Sequence, residues 1–144
     1  MLINISPAIS PDLLYALANM GHGDEIVLAD AFYPGETMSA QCIRADGVKV
    51  ADLMDGILRL MNPDDFVKDP ITMMSPVPGD TADPEVAKRY RAVIDKYWPD
   101  TPPINYIDRF EFYERAKKAY AVVVTGETVK YGCVIIKKGV IPVK

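Results

Sequence analysis

Residues 9–30 read ISPDLLYALANMGHGDEIVLAD, and they carry the clearest fold signal in the chain. Ser10 is a good N-cap, Pro11 suits the first helical position, and apolar residues follow at helical spacing up to the GHG segment. The apolar run EIVLA at residues 25–29 is typical of a short buried strand, and it ends at Asp30. A capped helix followed at once by a buried strand indicates an α/β fold.

The rest of the chain continues this alternation of helices and strands. Further helices are predicted over about residues 51–61, after a cap at Asp83 and after a cap at Asp108. Strands are predicted over the apolar runs at residues 71–74, 104–107, 120–124 and 134–136. The last two runs are close enough in sequence to pair as an antiparallel hairpin. We therefore predict one three-layer α/β/α domain over residues 1–144, with a mostly parallel, mixed sheet.

The composition narrows the possible partners. The 144 residues are 49% hydrophobic and 25% charged, with a formal net charge of −4, so a phosphate-binding basic surface and a nucleic-acid partner are not expected. The sequence shows neither an apolar run of about 20 residues nor a signal-peptide pattern, which predicts no membrane association and a cytoplasmic protein. Cys42 and Cys133 are expected to be free thiols.

The residue counts also exclude several kinds of chemistry. One histidine and two separated cysteines do not make the close ligand pairs of a zinc site. The sequence contains neither GxxxxGK[ST] nor GxGxxG for phosphates, and it has no GxSxG nucleophile motif. An enzyme with this sequence is therefore expected to work by proton transfer, without a metal or a cofactor.

His22 and Asp30 are the first candidate site residues. His22 lies between two glycines, which permit close approach of a ligand, and the carboxylates of Asp24 or Asp30 could orient its ring. The alternative is a surface loop histidine without a role. Asp30 follows a strand, where ligands gather in α/β sheets, but a turn residue would be the same type.

Two later segments supply the other candidates. Arg109 begins a helix, where the helix dipole disfavours a cation, and this suggests either a site residue or an arginine paired with Asp108 or Glu111. The triplet Tyr131, Gly132 and Cys133 opens the last strand and could offer a phenol and open backbone groups to a polar ligand. The more common interpretation of such a tyrosine is a cover for the core.

Five segments together resemble the L-fucose mutarotase / D-ribose pyranase family along essentially the full length of the chain. They are residues 9–30 quoted above, IRADGVKVADLM (43–54), GDTADPEVAKRYR (79–91), DRFEFYERAKKAYAVVVTGE (108–127) and YGCVIIKKGV (131–140). The resemblance implies interconversion of sugar anomers without metal or cofactor. It also implies a ring-shaped homodecamer with sites near subunit contacts.

The resemblance further implies roles for single residues. His22 corresponds to the proton donor of the family, and Asp30, Arg109 and the triplet at residues 131–133 correspond to substrate-binding positions. Cys133 departs from the usual asparagine, and a thiol is a weak hydrogen-bonding partner. Arg109 is typical of the fucose branch, since ribose-type members tend to have histidine there.

The resemblance thus implies a mutarotase for L-fucose, and we expect His22 to protonate the ring oxygen while Asp30 and Arg109 hold sugar hydroxyls. Three alternatives stay open at this point. The chain could act on D-ribose, it could bind a monosaccharide without catalysis, or it could be an interaction protein with a vestigial pocket.

Overall fold

The computed structural model describes residues 1–143 and contains five helices and one six-stranded sheet in that part of the chain. The helices are α1 (Pro11–Asn19), α2 (Gly35–Met38), α3 (Val50–Leu58), α4 (Pro84–Tyr97) and α5 (Arg109–Lys117). The strands are β1 (Glu25–Ala29), β2 (Cys42–Ala45), β3 (Ile71–Met74), β4 (Asn105–Ile107), β5 (Ala121–Thr125) and β6 (Val134–Lys137).

The helix starts follow from the capping residues that the sequence contains. The Ser10 side chain accepts a hydrogen bond from the Leu13 amide at 3.1 Å, and Asp83 caps α4 in the same way through Glu85. Such caps satisfy amide groups that the first helical turn leaves without intrahelical partners. The predicted starts of α1 and α4 are therefore confirmed.

The sheet has the strand order β2-β5-β1-β6-β3-β4. β1 is parallel to β5, with Ile26 opposite Ala121, and β2 and β4 are also parallel to their neighbours β5 and β3. β6 is antiparallel to both β1 and β3. The predicted mixed, mostly parallel sheet is thus confirmed.

The predicted hairpin of the last two strands is wrong. β1 lies between β5 and β6, so the connection over residues 126–133 crosses the end of β1 instead of making a tight turn. The Ala31 amide donates to the Glu127 carbonyl at 2.8 Å, which fixes this crossing. The sequence analysis also missed the short elements α2 and β2.

Two hydrophobic cores lie on the two faces of the sheet. One core contains Ile26 and Leu28 of β1 and packs against α1, α3 and α4. The other contains Val27 of β1 and packs against Phe112 and Ala116 of α5. Because successive strand residues point to opposite faces, the continuous apolar run in β1 serves both cores. This arrangement is the predicted three-layer α/β/α fold.

An ion pair also holds α5 to the sheet. The Arg115 guanidinium lies 2.5 Å from Glu25 Oε2 in β1, and the two side chains are 19% and 15% exposed. Arg115 also contacts Asp69 Oδ2 at 3.2 Å, so α5 is fixed to two segments of the sheet layer.

None of the helices in the described part of the chain combines the length and hydropathy that crossing a bilayer requires.

Candidate functional site

A cavity of about 260 Å³ lies at the sheet edge where the parallel strands end. Asp30, Arg109, Tyr131 and Cys133 all line it, although they are far apart in sequence. Gly132 lies between the last two. The fold therefore brings the predicted binding residues together at the position where open α/β sheets bind ligands.

Asp30 follows β1 and serves both as a turn residue and as part of the cavity wall. Its Oδ1 accepts a hydrogen bond from the Phe32 amide at 3.0 Å, which is the turn geometry expected of aspartate. The two explanations given for Asp30 from sequence are compatible, because the turn holds the carboxylate at the cavity.

Arg109 is the first residue of α5 and is exposed at the cavity. Its guanidinium carbon lies 5.4 Å from the centroid of the Tyr113 ring, a cation–π contact. Within residues 1–143 it forms no ion pair, so the alternative of pairing with Asp108 or Glu111 is wrong. Asp108 instead caps the helix by accepting from the Glu111 amide at 2.9 Å. The guanidinium donors of Arg109 remain available to a ligand.

Tyr131 is held at the cavity by its backbone and by its hydroxyl. Its φ of 58° lies in the left-handed region, which is uncommon for a residue with a Cβ atom. The hydroxyl donates to Asp80 Oδ2 at 2.7 Å and accepts from the Val77 amide at 3.3 Å. Hydrogen bonds from Lys130 and Tyr131 lower the pKa of the Asp80 carboxyl to about 2. Tyr131 is therefore a fixed wall of the cavity.

Gly132 is required by close contacts behind this wall. A Cβ atom at this position would lie 2.9 Å from the Val129 carbonyl oxygen and 3.2 Å from Glu127 Cγ. The Gly132 carbonyl accepts a hydrogen bond from the buried Tyr90 hydroxyl at 2.7 Å. The chain can follow this path at the start of β6 without strain because residue 132 has no side chain.

Cys133 is buried and hydrogen-bonded to Asp30. Its Sγ accepts from the Asp30 amide at 3.3 Å and lies 3.4 Å from Asp30 Oδ2. Burial and the neighbouring Asp30 charge raise the pKa of this thiol well above its ordinary value. A protonated thiol is a poor nucleophile, so Cys133 is suited to holding Asp30 in place and not to covalent catalysis.

Other cavity residues carried no signal in the sequence analysis. Phe32 and Tyr113 line the cavity and supply aromatic surface. Tyr33 also lines it, with its ring edge-on to Tyr113 at a centroid distance of 5.5 Å. Burial raises the pKa of the Tyr33 hydroxyl. Aromatic residues in loops and on helix faces are also common in cores, and only the assembled fold distinguishes the two uses.

His22 does not line this cavity. It precedes β1, whereas Asp30 follows β1, so the full length of the strand separates them. A five-residue strand spans about 16 Å. Within one chain the predicted proton donor and the predicted binding residues therefore lie at opposite ends of the strands.

The His22 ring has a carboxylate partner that sequence reasoning missed. Its Nε2 lies 3.1 Å from Asp64 Oδ1, and the two side chains are 47% and 4% exposed. The Phe66 ring packs against the imidazole at a centroid distance of 5.3 Å. The expectation that Asp24 or Asp30 orients the ring is wrong, because Asp24 Oδ2 accepts from the Gly21 amide instead. Asp64 is 42 residues from His22, and no local pattern marks it.

β6 and the residues on either side of it contact both the cavity and the segments that carry the His22–Asp64 pair. The residues before the strand, 131–133, form part of the cavity wall. After the strand, the Lys138 carbonyl accepts from the Gly23 amide at 2.9 Å, and the Lys137 carbonyl accepts from the Asp64 amide at 2.9 Å. Both segments that carry the His22–Asp64 pair are thus bonded to the same short piece of backbone.

Metal-ligating side chains do not cluster within residues 1–143. That part of the chain contains no group of three or more histidine, cysteine, aspartate or glutamate side chains placed to hold a metal ion.

Taken together, these features define a small three-layer α/β protein with a cavity of small-ligand size, lined by charged and aromatic side chains, at the carboxyl edge of its sheet. The chain belongs to the RbsD / FucU transport protein family, whose model matches residues 3–141. The L-fucose mutarotase of Actinobacillus pleuropneumoniae serotype 5b (strain L20) is 56% identical to it over 144 residues, which cover both chains completely.

Solved structures show the same relationship. The crystal structure of the fucose mutarotase from Streptococcus pneumoniae in complex with L-fucose has a TM-score of 0.93 and 49% identity. It covers 98% of this chain and 100% of its own. Bacillus subtilis RbsD complexed with D-ribose is more distant, with a TM-score of 0.71, 25% identity and coverage of 93% and 95%.

Proposed function

We propose that this protein is an L-fucose mutarotase, an isomerase that interconverts the α and β pyranose forms of the sugar. The observation that carries the proposal is the meeting of Asp30, Arg109, Tyr131 and Cys133 around one cavity. The cavity volume of about 260 Å³ is below the roughly 300–1,000 Å³ typical of drug-sized ligands, which suits a monosaccharide. Full-length similarity to proteins named L-fucose mutarotase supports the same assignment.

Mutarotation requires proton transfers and one bond rotation. The anomeric hydroxyl loses a proton to a water molecule while the ring oxygen gains one from His22, and the ring opens to an aldehyde. Rotation about the C1–C2 bond then allows closure on the other face. A positioned histidine that supplies and removes a proton accelerates such a step by roughly 10²–10⁴-fold.

The cavity residues then have separate roles. The Asp30 carboxylate accepts hydrogen bonds from sugar hydroxyls, and the Arg109 guanidinium donates to sugar oxygens. Tyr131 and Gly132 present a fixed wall. Cys133 holds Asp30 in place through its thiol, and it stands at the position where family members usually offer an asparagine amide. All five residues bind the substrate in this proposal.

His22 completes the cavity of a neighbouring copy. It cannot reach the cavity of its own chain because β1 separates the two. The ring is 47% exposed, so a second protomer can meet it. A heterologous contact that repeats this arrangement gives a ring when its rotation leads back to the first copy. We propose that this ring is a homodecamer of single-domain chains, residues 1–144, in the cytoplasm.

Two other functions would use the same cavity. Arg109 favours fucose over ribose, as the ribose-type members tend to have histidine at this position. A sugar-binding protein without catalysis would bind fucose but would not change the rate of anomer exchange.

Saturation-transfer NMR on a small sugar panel separates these functions. We expect faster anomer exchange for L-fucose than for D-ribose, and loss of most of this acceleration in His22→Gln with fucose binding retained. Faster exchange for ribose would indicate a pyranase. Fucose binding without accelerated exchange in the unmodified protein would indicate a binding protein. Full exchange rates in His22→Gln would refute the role of the histidine.

A further inference from the structure

We propose that Asp64 is a positioning residue that fixes the orientation and the tautomer of His22. This inference rests on the proposed function for its catalytic consequence, but its structural content can be tested without any sugar. Asp64 does not touch the substrate in this proposal. It acts through the imidazole.

The first argument is the way in which the Asp64 carboxylate is partnered. The side chain is 4% exposed, and His22 is its sole ion-pair partner within residues 1–143. Its Oδ1 also accepts from the Phe66 amide at 3.0 Å. A buried carboxylate needs hydrogen-bond donors, and this one obtains them from a turn amide and from the imidazole.

The second argument follows from the donor and acceptor properties of the two groups. An ionised carboxylate can only accept hydrogen bonds, so the His22 nitrogen that faces it, Nε2, must carry the proton. In the neutral ring Nδ1 is then the nitrogen with a free electron pair. Nδ1 has no hydrogen bond to residues 1–143 and lies on a half-exposed ring. Asp64 thus selects Nδ1 as the atom that exchanges a proton with the sugar: in the imidazolium form Nδ1 donates its proton to the ring oxygen, which leaves the neutral ring, and on closure its free electron pair takes the proton back.

The third argument is the backbone that fixes the pair. The loop of His22 and the segment of Asp64 both bond to residues 137–138, as described above. The Gly139 amide adds a bond to the Asn62 carbonyl at 2.8 Å. A Cβ atom at Gly139 would lie 2.7 Å from the Pro63 carbonyl oxygen, so the two segments approach each other closely. A supporting hydrogen bond of this kind fixes the tautomer and the orientation in which a histidine exchanges protons.

The packing of Phe66 supports the same conclusion. Its ring lies against the imidazole with an interplanar angle of 55°, although Phe66 as a whole is 75% exposed. The ring of His22 is therefore restrained on one face by Phe66 and at Nε2 by Asp64. These contacts leave Nδ1 as the nitrogen that can meet a neighbouring copy.

The direct test is ¹⁵N NMR of the histidine ring in the full-length protein. His22 is the only histidine in the chain, so its ring signals need no assignment by mutation. We expect the neutral ring to show a protonated Nε2 and an unprotonated Nδ1. A neutral ring protonated at Nδ1 would overturn the proposal, and this measurement requires no variant.

The matched variants are Asp64→Asn and Asp65→Asn. Both remove one negative charge from neighbouring positions, but Asp65 is exposed and makes no ion pair among residues 1–143. We expect Asp64→Asn to change the ring tautomer populations and to lower kcat for fucose anomer exchange roughly 10-fold or more, with KM nearly unchanged. Asp65→Asn should alter neither quantity.

The outcomes separate this proposal from the proposed function. If the unmodified protein does not accelerate fucose exchange, the proposed function fails while the ring signals still test the role of Asp64. Equal ring signals and equal kcat in Asp64→Asn and the unmodified protein would overturn the positioning role. A rise in KM with unchanged kcat would also overturn it, because it would place Asp64 in substrate binding.

Discussion

Mixing two inactive variants tests whether each site is built from two copies of the chain. His22→Ala removes the proposed proton donor, and Asp30→Asn removes the carboxylate at the cavity while keeping its shape. Each variant alone should lose most exchange activity, His22→Ala by roughly 10²–10⁴-fold. In a shared site, a hybrid oligomer can join an intact histidine of one copy to an intact aspartate of the next.

The expected recovery of activity can be calculated for a site that takes its histidine from one copy and its aspartate from the next. If copies assemble at random from an equal mixture, half supply an intact histidine and half supply an intact aspartate. About one quarter of the sites then contain both groups, so activity should return to about one quarter of the unmodified value. A site built within one chain would recover nothing, because every chain lacks one group.

A second mixture provides the matched control. Equal amounts of unmodified protein and the double variant, His22→Ala with Asp30→Asn, should give about one quarter of full activity for a shared site. A site within one chain would give about one half. The assay is saturation-transfer NMR with L-fucose after joint unfolding and refolding, with native mass spectrometry to verify hybrid oligomers. No recovery in verified hybrids of the single variants would refute the shared site.

Three further predictions concern stability and the cavity wall. Arg115→Ala leaves the mostly buried Glu25 carboxylate without its cation and should lower the free energy of unfolding by about 3 kcal/mol in urea titrations at fixed protein concentration; a change below 1 kcal/mol would contradict the energetic role of the pair. Gly132→Ala places a Cβ atom 2.9 Å from the Val129 carbonyl oxygen and should weaken fucose binding in calorimetry, and unchanged affinity would show that the wall can move. Asp80 has its pKa lowered to about 2, so its ionised form stabilises the fold above about pH 4 and this contribution is lost as pH falls towards 2. Asp80→Asn should therefore flatten the acid limb of stability against pH, and parallel curves would contradict this.

Local signals in the sequence predicted most of the fold. The caps at Ser10 and Asp83 fixed where two helices begin, because the side chains that satisfy free amides lie within three residues of them. The run at residues 25–29 gave a strand with matching bounds. These features depend on neighbours in the chain, so a single sequence contains the information.

Strand pairing was less predictable because it depends on distant segments. The runs over residues 120–124 and 134–136 are close in sequence, yet β1 separates them in the sheet. The alternation of exposed and buried residues in β2 is too short to distinguish from a loop, and α2 has four residues. The order of the strands depends on how the helices cover the two faces of the sheet, and no local sequence pattern predicts that order.

The candidate site shows the same division. Asp30 was found because it stands at the carboxyl end of a strand, and Arg109 because it begins a helix, where the dipole disfavours a cation. Asp64 follows Pro63 in a segment without regular structure, and its proximity to His22 arises from contacts with the end of β6. The separation of His22 from the cavity could not be predicted from the sequence either, since it depends on which end of the strands each loop reaches.

The reversed direction of β6 makes this strand intolerant of insertions and deletions. Its four residues, Val134–Lys137, join the cavity wall at residues 131–133 to the backbone that supports the His22–Asp64 pair. Removing one residue would turn its side chains to the opposite face and would shift either the wall or the imidazole support by about 3 Å. Length variation among descendants of this chain should therefore accumulate in the loops and spare this strand.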